Sequence, residues 1–186
     1  MNFLAHLYIA EARGADAAGA VLGDAVRGRD LSHLPADVAE SVRLHRRIDS
    51  TFDRHQHTAA ALARIDRRER RYGGITLDLY ADHWLATHWA AWHDRPLSDF
   101  CAHAAAAVAA RTDAFDAAGV PAPTATRFEE VLRSVAEPEG IDRAINRIAQ
   151  RARHPDALLA ACGNWRAHGA PLAPGLAEVL HDCLRA

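Results

Sequence analysis

The chain has no lysine; all 22 of its strongly basic side chains are arginine. With the abundant alanine, this reads as compositional bias of the coding sequence and carries little functional content. Charge of either sign is not in excess: the formal net charge is −2, which excludes a wholesale nucleic-acid binder. Cysteine is scarce. Cys101, Cys162 and Cys183 lie far apart with no CxxC pairing. That excludes a disulfide scaffold and a cysteine-rich zinc site, and fits a reducing, cytoplasmic setting. No window holds about 18 uncharged apolar residues, so no membrane span is expected. The opening MNFLAHLYIAEARG lacks a basic n-region and carries histidine in its apolar run, so it does not read as a signal peptide. Absent too are the phosphate loop GxxxxGK[ST], the GxSxG nucleophile elbow, and any cysteine with a neighbouring histidine. No stretch alternates like a strand, and no internal repeat is present.

What remains is helix. The 3.6-residue periodicity predicts an all-α fold, a single-domain helical bundle over residues 1–186, with the chemistry in 1–93 and a helical C-terminal half in 96–186. Helices are expected at 2–12, at 17–27 behind an Asp16 cap, from Pro35 to about Phe52 with fraying to His55, and at 58–71. Gly73-Gly74 should break the chain before a helix at 75–93, and Pro96 should open one running to about Ala118. Shorter helices follow at 127–136, 141–153 and 156–185, the last interrupted by Gly169, Pro171 and Pro174. Gly19 and Gly23 predict close packing of the second helix against a neighbour. The helix at 75–93 is apolar nearly all round and should be central.

The stretch Leu44–His55 (LHRRIDSTFDRH) stands out. On a helical wheel at about 100° per residue, Asp49 and Asp53 lie about 40° and about 80° from His45. Val38, Val42 and Phe52 share that face, while Arg43, Arg47 and Arg54 point away. An imidazole and a carboxylate thus sit within a core-facing stripe, where an unpartnered charge is costly. Asp78, Asp82 and His83 repeat the pattern on the central helix. A divalent cation is the partner these residues call for. The expected ligands are Asp24, His45, Asp49, Asp78, Asp82 and His83, with His6, Asp53 and His55 as candidates close by. Imidazole plus carboxylate without thiolate suits manganese, iron, magnesium or catalytic zinc. The run Arg67, Arg68, Arg70 and Arg71 reads as a solvated face or a docking surface for an acidic partner.

Four motifs in order, NFLAH, LGD-x-V-x-G at Leu22–Gly28, RLHRRID at Arg43–Asp49 followed by Asp53 and His55, and ITLDLYADHWLA at Ile75–Ala86, resemble the acyl carrier protein phosphodiesterase family. The match extends to about Phe100. Departures include Ala20 where the family usually has asparagine, Thr51-Phe52 where it has Phe-Thr, and Gln56 where proline is common.

The resemblance implies an HD-phosphohydrolase-like helical enzyme, an outlying relative of that superfamily. It would hydrolyse the phosphodiester joining 4′-phosphopantetheine to a serine of holo-acyl carrier protein, with Mn²⁺ favoured, or Mg²⁺ or Fe²⁺. On that reading Arg46 offsets phosphoryl charge and His55 or His83 protonates the leaving serine oxygen. Arg43 and Arg47 join the arginines at 67–71 as docking residues for the acidic carrier protein, with no role for nucleic acid or membrane. Two other readings stay open on the residues alone. One is a phosphoesterase for a nucleotide or other small phosphodiester. The other is a non-catalytic helical module that keeps its His/Asp groups as structural pairs.

Overall fold

The computed structural model describes residues 1–186 and contains helices and no strand. The α-helices run α1 Phe3–Ala12, α2 Ala17–Leu22, α3 Ala36–Arg54, α4 Gln56–Arg64, α5 Gly73–Thr87, α6 Leu97–Ala110, α7 Thr112–Ala118, α8 Ala125–Ser134, α9 Pro138–Ala149, α10 Pro155–Cys162, α11 Trp165–Gly169 and α12 Leu176–Arg185. Short 3₁₀ turns occupy Arg70–Tyr72, Trp89–Ala91 and Ala170–Gly175. No helix is long and apolar enough to cross a membrane.

Two helices bury nearly their whole surface. In α1, Leu4 to Ala10 are all buried. In α5, Leu77, Leu79, Ala81, Asp82, Leu85 and Ala86 are buried, which fits the all-round apolar pattern of its sequence. The long α3 is amphipathic: Val38, Val42, His45, Ile48 and Phe52 face inward while Glu40, Arg43 and Arg47 face water. α1 packs on both α3 and α5, and α2 lies across α3. One hydrophobic core draws on residues from Met1 to Cys183.

The expected close packing of α2 is realised. A Cβ on Gly19 would lie 2.5 Å from Ser41 Cβ, and one on Gly23 would lie 2.2 Å from Cγ of His45. Asp16 caps α2 as expected, accepting the Gly19 N–H at 2.8 Å.

Several boundaries differ from the expected ones. α2 stops at Leu22, so Asp24 sits in a turn. The Arg67–Arg71 run lies in a turn and a 3₁₀ segment beyond the end of α4, because Ile65 turns inward and is buried. Gly73 and Gly74 open α5 instead of preceding it, and a Cβ on Gly73 would lie 2.4 Å from Leu62 Cδ1, so α5 starts close against α4. The long helix expected from Leu97 to Ala118 breaks at Arg111, whose guanidinium ion-pairs with Asp16, Asp37 and Asp113 and ties the α6–α7 corner to α2 and α3.

Candidate metal centre

Three side chains converge where α1, α3 and α5 meet. His6 comes from α1, and His45 and Asp49 come from successive turns of α3. One ligand atom from each lies within 4.8 Å of the others. The two imidazoles stack with centroids 3.8 Å apart and planes 12° apart. His6 Nε2 is 3.0 Å from Asp49 Oδ1, and His45 Nε2 is 3.0 Å from Asp49 Oδ2. Asp24 closes the outer side, its Oδ1 3.3 Å from His45 Nε2.

The orientation of His45 is set by backbone. Its Nδ1 lies 2.8 Å from the carbonyl oxygen of Ala20, which can only accept, so Nδ1 carries a hydrogen. In the neutral ring Nε2 is then a lone pair facing two carboxylate oxygens, and this atom has no hydrogen-bond partner. Such an arrangement demands positive charge at Nε2, either a proton or a cation. Burial disfavours the imidazolium, but the Asp24 and Asp49 carboxylates beside Nε2 outweigh burial and raise the pKa to about 9. His6 is the opposite case: burial dominates and lowers its pKa to about 4, so the ring is neutral near pH 7, with its Nε2–H between Asp49 Oδ1 and the carbonyl oxygen of Met1 at 3.1 Å. For Asp49, burial favours the acid, yet the two imidazoles and the α-ammonium of Met1 hold it ionised, well below the usual carboxylate range.

Met1 completes the surroundings. Its α-amino nitrogen is buried, 3.1 Å from Asp49 Oδ1 and 2.9 Å from Asp78 Oδ1. Burial works against its charge, and Asp78 and Asp49 reverse this, raising the pKa to about 11. A cation between Asp49 and Asp78 is thus compatible with the protein's own electrostatics. Asp78 itself is shifted up, chiefly by burial, and feels the charges of Asp49 and Asp53 as well. Asp53 is exposed at the edge of this group.

The structure therefore gathers His6, Asp24, His45 and Asp49 around Nε2 of His45, with Asp78 next to Asp49 and Asp53 close enough to bear on Asp78. It does not gather the others. Asp82 is fully buried, but its two oxygens accept the backbone N–H groups of Leu4 at 2.8 Å and Ala5 at 3.1 Å. The first turn of a helix has N–H groups without intrahelical acceptors, and a buried carboxylate on the neighbouring helix satisfies two of them at once. Burial still raises its pKa to about 7. Asp82 thus anchors α1, and through it His6, instead of ligating.

His83 follows Asp82 by about 100° around α5 and faces another way. Its Nδ1–H donates to Val135 O at 2.8 Å and its ring meets Trp165 edge-on at 5.0 Å. It lines a separate cleft of about 300 Å³ with Tyr80, Trp84, His88 and Arg166. His55, ten residues beyond His45 and so about 15 Å along the axis of α3, caps α4 and lies 3.4 Å from Asp182 and 3.7 Å from Glu178. Neither histidine reaches the cluster as a proton donor. Arg46 donates to the carbonyls of Gly28 and Val26, both at 2.8 Å, because the loop after α2 exposes carbonyls that no helix uses. It fastens the loop that carries Asp24 and is not free to clamp a phosphoryl group.

Some contributors were not foreseen. Amphipathic wheels report side chains, so the carbonyl of Ala20, the N–H groups of Leu4 and Ala5 and the amino group of Met1 leave no trace in them. The Gly19/Gly23 spacing was the one signal that α2 comes close enough to supply a carbonyl.

The buried His6 and His45 and the half-buried Asp49 make a donor set without thiolate on an all-α scaffold, one that could hold a divalent cation. The model of the acyl carrier protein phosphodiesterase family matches residues 1–182, and the chain belongs to that family. An acyl carrier protein phosphodiesterase from Salmonella paratyphi A is 35% identical over 159 residues, covering 85% of this chain and 82% of the relative. One from Salmonella dublin is 42% identical over 110 residues, covering 59% and 57%. No solved structure matches.

Proposed function

We propose that the protein hydrolyses the phosphodiester between 4′-phosphopantetheine and a serine of holo-acyl carrier protein, giving apo-carrier protein and free 4′-phosphopantetheine. Family membership over residues 1–182 supports the reaction. One structural observation carries the chemistry: Nε2 of His45 faces the carboxylates of Asp24 and Asp49 with no hydrogen-bond partner. His6, His45 and Asp49 would hold a divalent cation, Mn²⁺ by the family's preference, with Asp24 and Asp78 adjoining. When bound, such a cation polarises phosphoryl oxygens and makes water more acidic.

The chain's own residues do the positioning. Ala20 fixes the tautomer and tilt of His45 through Nδ1. Asp82 fixes the start of α1 and so the height of His6. Asp49 bridges both imidazoles and is ionised throughout the working range. The three cysteines are buried and unpaired, which supports a reducing, cytoplasmic setting.

The test is a mass measurement on holo-carrier protein incubated with the purified protein and Mn²⁺. The reading expects loss of the phosphopantetheine mass, abolished by chelation and by Asp49→Ala. An unchanged holo mass at high enzyme concentration would rule it out.

A further inference from the structure

His83 lies about 140° around α5 from Asp78, so it looks away from the metal cluster. There a cleft of about 300 Å³ opens between α5 and α11, lined by Tyr80, His83, Trp84, His88, Trp165 and Arg166. That volume falls at the lower end of the range for small-molecule sites, about 300–1,000 Å³. Its walls are fixed from several sides. A Cβ on Gly169 would lie 2.0 Å from Cγ of Tyr80, so α11 meets α5 backbone against ring. Trp165 donates its Nε1–H to Asp142 Oδ1 on α9 at 3.0 Å, and His83 meets its ring edge-on at 5.0 Å. His88 stacks on Trp84 with centroids 4.4 Å apart and planes 18° apart.

The polar atoms facing the cleft point to its occupant. His83 Nδ1 donates to the carbonyl of Val135, and His88 Nδ1 to that of Trp84, each at 2.8 Å. Nδ1 therefore carries the hydrogen in both neutral rings, and both Nε2 atoms are acceptors without a partner in the protein. Many arginines of this chain have no ion pair, but the guanidinium of Arg166 is held over the Trp165 ring at 4.7 Å, on the cleft wall. No carboxylate lines the cleft. A fixed cation, ring walls, two free acceptors and no anion select an organic anion that carries N–H donors. We infer that this cleft is a second binding site, independent of the metal cluster, for a small organic phosphomonoester. Its phosphate pairs with the fork of Arg166, its body lies along Trp84 and His88, and its N–H groups donate to the free Nε2 atoms. A nucleoside monophosphate and free 4′-phosphopantetheine both have this chemistry. The inference does not rest on the hydrolysis proposed above.

The test measures binding to the whole chain by calorimetry and by tryptophan fluorescence, since two of its four tryptophans line the cleft. The probes are AMP and 4′-phosphopantetheine, each beside its dephosphorylated counterpart, adenosine or pantetheine, with inorganic phosphate and phenylacetate as controls. Each is measured with Mn²⁺ and after chelation. At least one phosphomonoester should bind saturably, one per chain, with a fluorescence change that survives chelation. Removing its phosphate should weaken binding about tenfold. Arg166→Gln should abolish that difference. His83→Asn, which keeps a donor for Val135, should weaken the phosphomonoester about three- to tenfold. Arg54→Gln, an exposed charge elsewhere, should match the wild type. If His83→Asn does not fold, Tyr80→Phe should weaken binding in the same sense. No saturable binding of either phosphomonoester overturns the site. So does binding lost on chelation, which assigns the ligand to the metal cluster, or an Arg166→Gln affinity equal to the wild type's. Inorganic phosphate or phenylacetate binding as tightly as the phosphomonoesters overturns the ligand class.

Discussion

Asp82 of α5 accepts the backbone N–H of Leu4, 78 residues away in sequence, at 2.8 Å, and that of Ala5 at 3.1 Å. This joins the central helix to the first turn of α1, so the height of His6 over His45 depends on a carboxylate outside the His6–His45–Asp49 group. Asp82→Ala should leave two buried N–H groups without acceptors, a loss of about 1–3 kcal/mol or more in denaturant unfolding. It should also weaken metal binding by displacing His6. Asp82→Asn retains one carbonyl acceptor and should fall between. An unchanged unfolding midpoint in Asp82→Ala would refute the anchor.

Gly23 is where α2 rests on the imidazole of His45. A Cβ there would lie 2.2 Å from Cγ and 2.3 Å from Cδ2 of that ring. Gly23→Ala must therefore push the ring or the helix aside. The expected cost is about 1–3 kcal/mol, with a larger fractional loss of Mn²⁺ affinity than of stability, because the Ala20 carbonyl moves with the helix. Full retention of Mn²⁺ affinity would show that the close approach is incidental.

Asp49 faces two positive partners, the α-ammonium of Met1 and the imidazolium of His45, and the neutral imidazole of His6. A carboxylate row with no cation would leave buried negative charge, whose partial removal relieves the metal-free protein. The geometry reverses that expectation: Asp49→Ala removes one of two acceptors for His6 Nε2, the other being the Met1 carbonyl oxygen, and one of two carboxylates at the buried α-amino group. It should destabilise the metal-free protein by about 1–3 kcal/mol, and excess Mn²⁺ should not restore turnover. A thermal midpoint equal to or above the wild type would contradict this.

The His45 pKa, raised to about 9 once its two carboxylates overcome burial, sets a pH dependence in chelated protein. A group whose folded pKa exceeds its unfolded value of about 6.5 binds its proton more tightly when folded. Its stabilisation is thus complete below that unfolded value and disappears as pH rises through about 9. Denaturant midpoints taken from pH 6 to pH 10 should fall for the wild type and fall less for His45→Gln. Parallel curves would mean that His45 does not titrate in this window.

Much of this was legible in the amino-acid order. His45 and Asp49 lie about 40° apart on an apolar stripe, and that face of α3 does bring the two side chains together. The near-total apolarity of α5 marked it as central, as it is. The same logic misassigned Asp82 and His83, because burial of a polar side chain announces that a partner exists but not which one. For Asp82 the partner is a helix terminus, and for His83 it is the carbonyl of Val135. His55 and Arg46 were misread for a related reason: capping a following helix or fastening a loop leaves no periodic mark.

The central claim is that His6, His45 and Asp49 together hold a divalent cation on which hydrolysis depends. Equilibrium Mn²⁺ binding, read from the electron paramagnetic resonance signal of the free ion, tests it on wild type, His6→Ala, His45→Ala, Asp49→Ala and His83→Ala. The structure predicts saturable binding by the wild type and by His83→Ala, and its loss in the other three. Equal binding by all five proteins, or loss in His83→Ala alone, would contradict the account.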